Sequence, residues 1–280
     1  MTTSISTSSG AWRVERLDLD GYLERLGIPA REPSREALDE IHERHVRTFT
    51  FDNADVLLRQ HPGVDLDSVS EKFVGRGRGG YCFEHSTLLS AALERLGYTV
   101  IRRLARVGDP AKGPVTSRTH LVVEVVLDGR RLLCDPGFGM SVARPIPLED
   151  GHVDEQYGNR YRIVRAADGV VPAWRLERLR NEMWEVQHTT DELPVRPSDV
   201  ELGHCYTSTS PASHFTHELI VARRFTGRHV TLTAGTVTIR HDDGATEHHD
   251  LAAGELTTWL AELNPHLSDE ETARLVARLS

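Results

Sequence analysis

The 280-residue sequence predicts an α+β chain laid out in three consecutive blocks, helical, then β-rich, then mixed. Three observations predict it. Apolar residues recur at helical spacing up to Gly97. From Thr99 they gather in short β-branched or Leu-rich runs bounded by turn residues. Helical spacing returns after Gly254. The divisions fall at 1–97, 98–205 and 206–280, and no internal repeat of fixed period is visible.

Met1 to Gly10 is Ser/Thr-rich and reads as a frayed tail, with neither the basic nor the apolar region of a secretory leader. Leu19, Tyr22, Leu23 and Leu26 then share a helix face that stops at Gly27-Ile28-Pro29, a Gly-then-Pro ending. Ser34 caps a second helix with Ala37, Leu38, Ile41 and His45 on one face. A third helical stretch covers Leu66 to Phe73. After the Gly- and Arg-rich segment Gly75 to Gly80, a fourth helix runs from Cys82 to Leu96. Strands are predicted at Val100–Val107, Leu121–Leu127, Arg131–Asp135, Tyr161–Val164, Trp174–Leu179 and Trp184–Gln187. Three more follow at Leu219–Val221, His229–Thr233 and Thr236–Arg240. Two short helices close the chain: one over Gly254–Leu263, the other beginning at Ser268, where Ser268 and Glu271 stand at capping-box spacing.

Lys plus Arg is 33 and Asp plus Glu is 42, a formal charge of −9, which argues against nucleic-acid binding. No apolar run approaches the roughly 20 residues of a membrane helix. Cys82, Cys134 and Cys205 make an odd count without a pairing pattern, which points to a reducing cytoplasm and at least one free thiol.

The chemistry concentrates around Cys82. It follows paired glycines and opens a helix, where orphan backbone N–H groups and the positive end of the macrodipole favour a thiolate. A buried structural thiol is the plainer reading of Cys82 taken alone. His120 and Asp135 change the balance. Asp128-Gly129 between two strand-like runs predicts a tight hairpin. If those two residues form the loop, Leu127 faces Arg130 and Asp135 faces Val122. His120 then lies on the same face as Asp135, a diagonal neighbour about 7–8 Å away at the backbone. A one-residue slip would separate them onto opposite faces. Cys134 falls on the other face, as a packed thiol. Nucleophile, base and orienting carboxylate thus occur in the order Cys82, His120, Asp135, a set suited to acyl transfer from a thioester.

Arg78-Gly79-Gly80-Tyr81-Cys82-Phe83-Glu84, Thr119-His120 and Asp135-Pro136-Gly137-Phe138-Gly139 together resemble the arylamine N-acetyltransferases. Phe49-Thr50-Phe51-Asp52-Asn53 and Tyr206-Thr207-Ser208-Thr209-Ser210-Pro211 extend the resemblance over nearly the whole chain after Leu17. It implies a core like that of papain-type cysteine proteases: a helical bundle carrying Cys82, a β-barrel carrying His120 and Asp135, and an α/β lid. It also implies ping-pong transfer of acetyl from acetyl-CoA, a substrate rather than a resident cofactor, to an arylamine, arylhydrazine or arylhydroxylamine. Phe51, Phe138 and Gly139 would contact substrate, with Phe138 stacking on the aromatic amine. Arg78 would support the nucleophile. The resemblance implies no metal, and leaves room for a homodimer. The chain departs from the family at Asp52 (usually Glu), His85-Ser86 (usually Gln-Asn), Pro136 (Val), Met140-Ser141-Val142 (Gly-Gln-Thr) and Cys205 (Trp).

An amide synthase of the same family, closing a macrolactam from a carrier-bound thioester, uses the same triad and is the close alternative. A cysteine hydrolase is the next class. His241, Asp242, Asp243, His248 and His249 flank a hairpin tip with metal-type side chains, but a solvated turn is the simpler reading. His85, one turn after Cys82, reads as a half-exposed helix residue.

Overall fold

The computed structural model describes residues 9–109, 116–140, 142–166 and 171–279. The chain is α+β. Its first block holds α1 (Ser9–Trp12), α2 (Leu19–Leu26), α3 (Arg35–Thr48), α4 (Ala54–Leu57), α5 (Leu66–Ser70) and α6 (Cys82–Arg95), with β1 (Phe51–Asp52) between α3 and α4. The capping signals act as predicted. Gly27 ends α2 at φ 68°, and Ser34 Oγ accepts from the Ala37 N–H at 3.1 Å. The last two residues of the tail predicted to fray, Ser9 and Gly10, open the helical turn Ser9–Trp12, whose Trp12 ring covers the Arg102 guanidinium at 4.2 Å. Residues 1–8 lie outside the described residues. The third helical stretch differs from expectation, because α5 passes at Glu71–Gly75 into one wide π-type turn. That turn brings Lys72 inside, 1% exposed.

The second block is an antiparallel sheet curled into a nearly closed barrel, in the order β5-β4-β3-β2-β9-β8-β7-β6. Its strands are β2 (Thr99–Val107), β3 (His120–Leu127), β4 (Arg130–Cys134), β5 (Ile146–Pro147), β6 (Val153–Gln156), β7 (Asn159–Ala166), β8 (Ala173–Arg180) and β9 (Met183–Asp191). The β3–β4 hairpin is buried on both faces. Val123, Val125 and Cys134 pack into the helical core with Leu88, Leu89 and Ala92, while Val122 and Leu133 fill the barrel. This explains the near-continuous apolar run of β3. The short pairs β5 and β6 escaped the sequence reading, being too brief to show alternation.

Between the barrel and the last block runs α7 (Pro197–Thr209), a helix the sequence reading did not contain. Only Val200, Gly203 and Thr207 of it are buried, while Leu202 and Tyr206 stand exposed, so no apolar stripe announces it. The division placed at 205/206 falls inside this helix. Its start was legible in Pro197 and in Asp199, which accepts the Arg196 N–H at 2.8 Å.

The last block comprises β10 (Val221–Phe225), β11 (Arg228–Leu232), β12 (Thr236–His241), β13 (Thr246–Asp250), α8 (Glu255–Leu263) and α9 (Asp269–Leu279). Ser268 and Glu271 cap α9 reciprocally, at 2.8 and 3.1 Å. β1 joins this sheet as an edge strand, pairing Phe51 with Ala222 and Asp52 with Val221. Asn53 fastens the same junction: its side chain donates to Phe215 O and Glu218 O and accepts from the Ile220 N–H.

Candidate active site

Cys82 is the first residue of α6 and is 4% exposed. Two close approaches explain the glycines around it. A Cβ on Gly79 would stand 1.9 Å from Thr50 O, so the loop before α6 lies directly on the Thr50–Phe51 backbone. Gly80 N–H donates to Thr50 O at 3.1 Å, and Asp52 N–H to Gly80 O at 2.7 Å. A Cβ on Gly137 would come within 2.6 Å of Cys82 Cα, so the turn after β4 presses on Cys82 from the barrel side. Three motifs distant in sequence are therefore one packed unit.

The β3–β4 register is the predicted one, Leu127 opposite Arg130 and Val123 opposite Cys134. His120 and Asp135 consequently meet, with His120 Nε2 at 3.0 and 3.1 Å from the two carboxylate oxygens. A carboxylate only accepts, so Nε2 carries the hydrogen and Nδ1 is the nitrogen left for Cys82. Burial alone would lower the basicity of His120, but the Asp135 charge and hydrogen bond outweigh it, with a further hydrogen bond to Cys82, and raise its pKa to about 10. Asp135 is fully buried, which opposes its charge, yet His120 and then His188 hold it well below the usual carboxylate range. Cys82 Sγ lies 3.7 Å from Thr119 O. Cys134 is buried on the opposite face as expected, and burial pushes its thiol far up.

His188 on β9 is the residue the sequence reading missed. Its Nε2 lies 3.1 Å from Asp135 Oδ2, and its Nδ1 3.2 Å from Thr190 Oγ1. The signal was a histidine directly after the predicted strand Trp184–Gln187, which the structure extends over Met183–Asp191, but no local register ties β9 to β4. His120, Asp135 and His188 also offer three metal-type atoms within 4.8 Å of one another. Each already takes part in an N–H···O bond, which accounts for the cluster without an ion.

Phe138 is half-buried, edge-on to His120 at 5.3 Å between ring centroids and 5.7 Å from His188. Gly139 sits against the Phe51 ring, and with Pro136 and His85 the two line a cavity of about 20 Å³, room for a water molecule at most. Ser141 lies outside the described residues. Arg78 does not touch Cys82. It clamps Asp55 and Glu271, each at 2.7 Å. Lys72, also unforeseen, joins Asp55 (2.8 Å) and Glu84 (2.7 Å). Glu84 in turn accepts the Tyr81 N–H at 3.1 Å and so caps α6, the helix that Cys82 opens. Against full burial, Lys72 and then His61 keep Glu84 ionised.

His85 corrects the sequence reading, for it is buried rather than half-exposed. It lies on the face of α6 covered by β1. Its Nε2 donates to Thr50 O at 3.0 Å, its Nδ1 accepts from His45 Nε2 at 2.9 Å, and His45 Nδ1 accepts from the Tyr22 hydroxyl at 2.9 Å. The terminal carbonyl sets every tautomer in this chain. His241 ends β12 and His248 and His249 lie on the exposed strand β13, with His241 and His249 both on Glu247.

The likeness to known proteins defines an acetyltransferase: the N-acetyltransferase family model matches residues 34–264. The arylamine N-acetyltransferase of Mycolicibacterium smegmatis is 38% identical over 242 residues, 83% of this chain and 85% of that one. The arylamine N-acetyltransferase of Escherichia coli K12 is 32% identical, covering 77% and 76%. The Mycobacterium abscessus arylamine N-acetyltransferase structure superposes with a TM-score of 0.89 at 28% identity, over 97% of this chain and 98% of that one. The Mycobacterium marinum enzyme in complex with CoA does so at 0.86 and 29%, over 94% and 98%. The chain belongs to the arylamine N-acetyltransferase family.

Proposed function

We propose that this chain moves an acetyl group from acetyl-CoA to the nitrogen of an arylamine or arylhydrazine through an acetyl-Cys82 intermediate. The observation that carries the reading is the His120–Asp135 pair, held by the β3–β4 hairpin against the start of the helix that bears Cys82. His120 Nδ1 takes the Cys82 proton. The thiolate attacks the thioester carbonyl, the carbonyl–sulfur bond to CoA breaks, and the imidazolium returns the proton to the CoA thiolate. The amine then attacks acetyl-Cys82, His120 accepts its proton, and the Cys82 thiolate leaves. Backbone N–H groups at the start of α6 stabilise the oxyanion of both steps. Phe138, beside His120, is the ring on which an aromatic acceptor stacks, with Gly139 and Phe51 as the wall behind it. Arg78 supports the site at a distance, through Asp55. The CoA-bound Mycobacterium marinum relative supports CoA as the thiol carrier here. The free Cys82, Cys134 and Cys205 suit a cytoplasmic setting. No helix among the described residues is long and apolar enough to cross a membrane.

The test is intact-protein mass after brief exposure to acetyl-CoA without acceptor, beside Cys82→Ser. One acetyl group is expected on the wild type only, discharged on adding an arylamine or arylhydrazine. Turnover by Cys82→Ser should fall by roughly 10⁴-fold or more. An unmodified wild type whose Cys82 still alkylates would overturn the donor, and an acetylated Cys82→Ser would overturn the nucleophile.

A further inference from the structure

We infer that His188 is a positioning residue of the acyl-transfer centre: a second imidazole donor that fixes the Asp135 carboxylate for His120. The inference rests on the triad reading above and concerns how its carboxylate is held.

Asp135 has no exposed surface, so its charge depends on donors from the protein. His120 from β3 spans both oxygens, and His188 from β9 takes Oδ2. Asp135 itself stands at the end of β4. Three barrel strands thus converge on one carboxylate, and the two imidazoles, 5.2 Å apart between centroids, keep it from rotating away from His120. The Thr190 hydroxyl donates to His188 Nδ1 and so leaves the hydrogen on Nε2, the tautomer a carboxylate requires. Burial keeps His188 in its neutral form. It therefore donates to Asp135 without adding a second cation, and the full negative charge remains for the His120 imidazolium. The other groups facing Asp135 are the Cys134 thiol that precedes it on β4, His42 from α3 and the Tyr161 hydroxyl from β7, while Cys82 bears on it through His120. Behind His188, Arg103, Glu124, Arg131 and Glu192 line a cavity of about 10 Å³ and pair among themselves.

The experiment compares wild type, His188→Phe, His188→Gln and Thr190→Val for the single-turnover rate of Cys82 acetylation by acetyl-CoA against pH. Circular dichroism and thermal melting check the fold of each variant. His188→Phe should slow acetylation about 10- to 100-fold, as loss of a group orienting an active-site residue does. It should also move the acid limb of the profile to higher pH, because Asp135 with one donor fewer protonates more readily. His188→Gln, whose amide N–H can reach the same oxygen, should restore most of the rate and return the limb toward wild type. Thr190→Val should shift both in the same direction by less. A folded His188→Phe with wild-type rate and limb overturns the inference. Equal losses in Phe and Gln with an unmoved limb also overturn it, since that is a packing effect. If His188→Phe does not fold, Thr190→Val decides, an unchanged rate and limb sinking the idea. A wild type that never acetylates is a failure of the triad reading instead.

Discussion

At the scale of single residues, one charge organises the site. Asp135 raises His120 to about 10, so an imidazolium beside Cys82 is the favoured form across the neutral range. Asp135→Asn keeps the shape and removes the charge. The amide can also turn its NH₂ toward His120 Nε2 and select the wrong tautomer. Acetylation by acetyl-CoA should therefore fall by about 10³- to 10⁴-fold, and alkylation of Cys82 by iodoacetamide at pH 7 should slow alongside it. A variant that alkylates at the wild-type rate would show that Asp135 does not tune the pair. This much was legible from sequence, because a two-residue Asp128-Gly129 loop leaves one register and parity does the rest. His188 was not legible. It reaches the same carboxylate from a strand 53 positions along the chain, a distance over which no local rule sets register.

At the scale of elements, the start of α6 stands on buried charge rather than on propensity. Lys72 reaches Glu84 and Asp55 only because α5 widens into a π-type turn at Glu71–Gly75. No periodicity in Leu66–Phe73 announces such a turn, and a regular helix would aim the lysine elsewhere. Replacing Lys72 by Met leaves Asp55 to Arg78 and leaves Glu84, the cap of α6, to His61 and the Tyr81 N–H, with one buried cation fewer between the two carboxylates. Removing one partner of a buried ionic cluster costs about 3–5 kcal/mol. Lys72→Met should accordingly lower the unfolding free energy by that amount, read in urea as a lower midpoint at unchanged slope. A loss below about 1 kcal/mol would mean that the carboxylates relax to water instead. α7 was missed for the complementary reason: it buries three small or β-branched residues and leaves Leu202 and Tyr206 to solvent. Where an element carries an apolar stripe or a capping residue, as α2, α3 and α9 do, the sequence shows it. Where it rests on partners from another block, only the structure does.

At the scale of the whole molecule, the histidines set how stability depends on pH. His42 and His85 are held down to about 4 and His229 to about 3, with His45 well below its ordinary value, all chiefly by burial. Each is neutral when folded and titrates near 6.5 when unfolded. As pH falls below 6.5 the unfolded chain binds protons that the fold refuses, so each contributes a loss of about 1.4 kcal/mol per pH unit down to its folded value. His120 has the opposite sign. Its raised value stabilises fully below 6.5, and that contribution is lost as pH rises toward 10. The combined curve should peak near pH 6.5 to 7, with an acid limb several protons steep and an alkaline limb of about one. Urea unfolding from pH 4.5 to 9.5 measures both limbs. Asp135→Asn, which removes the charge holding His120 up, should flatten the alkaline limb and leave the steepness contributed by His42, His45, His85 and His229 in place. A midpoint that does not change between pH 6.5 and 4.5 would mean that those four side chains are charged inside the fold. The Tyr22–His45–His85–Thr50 chain could not then keep its tautomers, and the backbone on which the Gly79-Gly80 loop rests would lose its buried support.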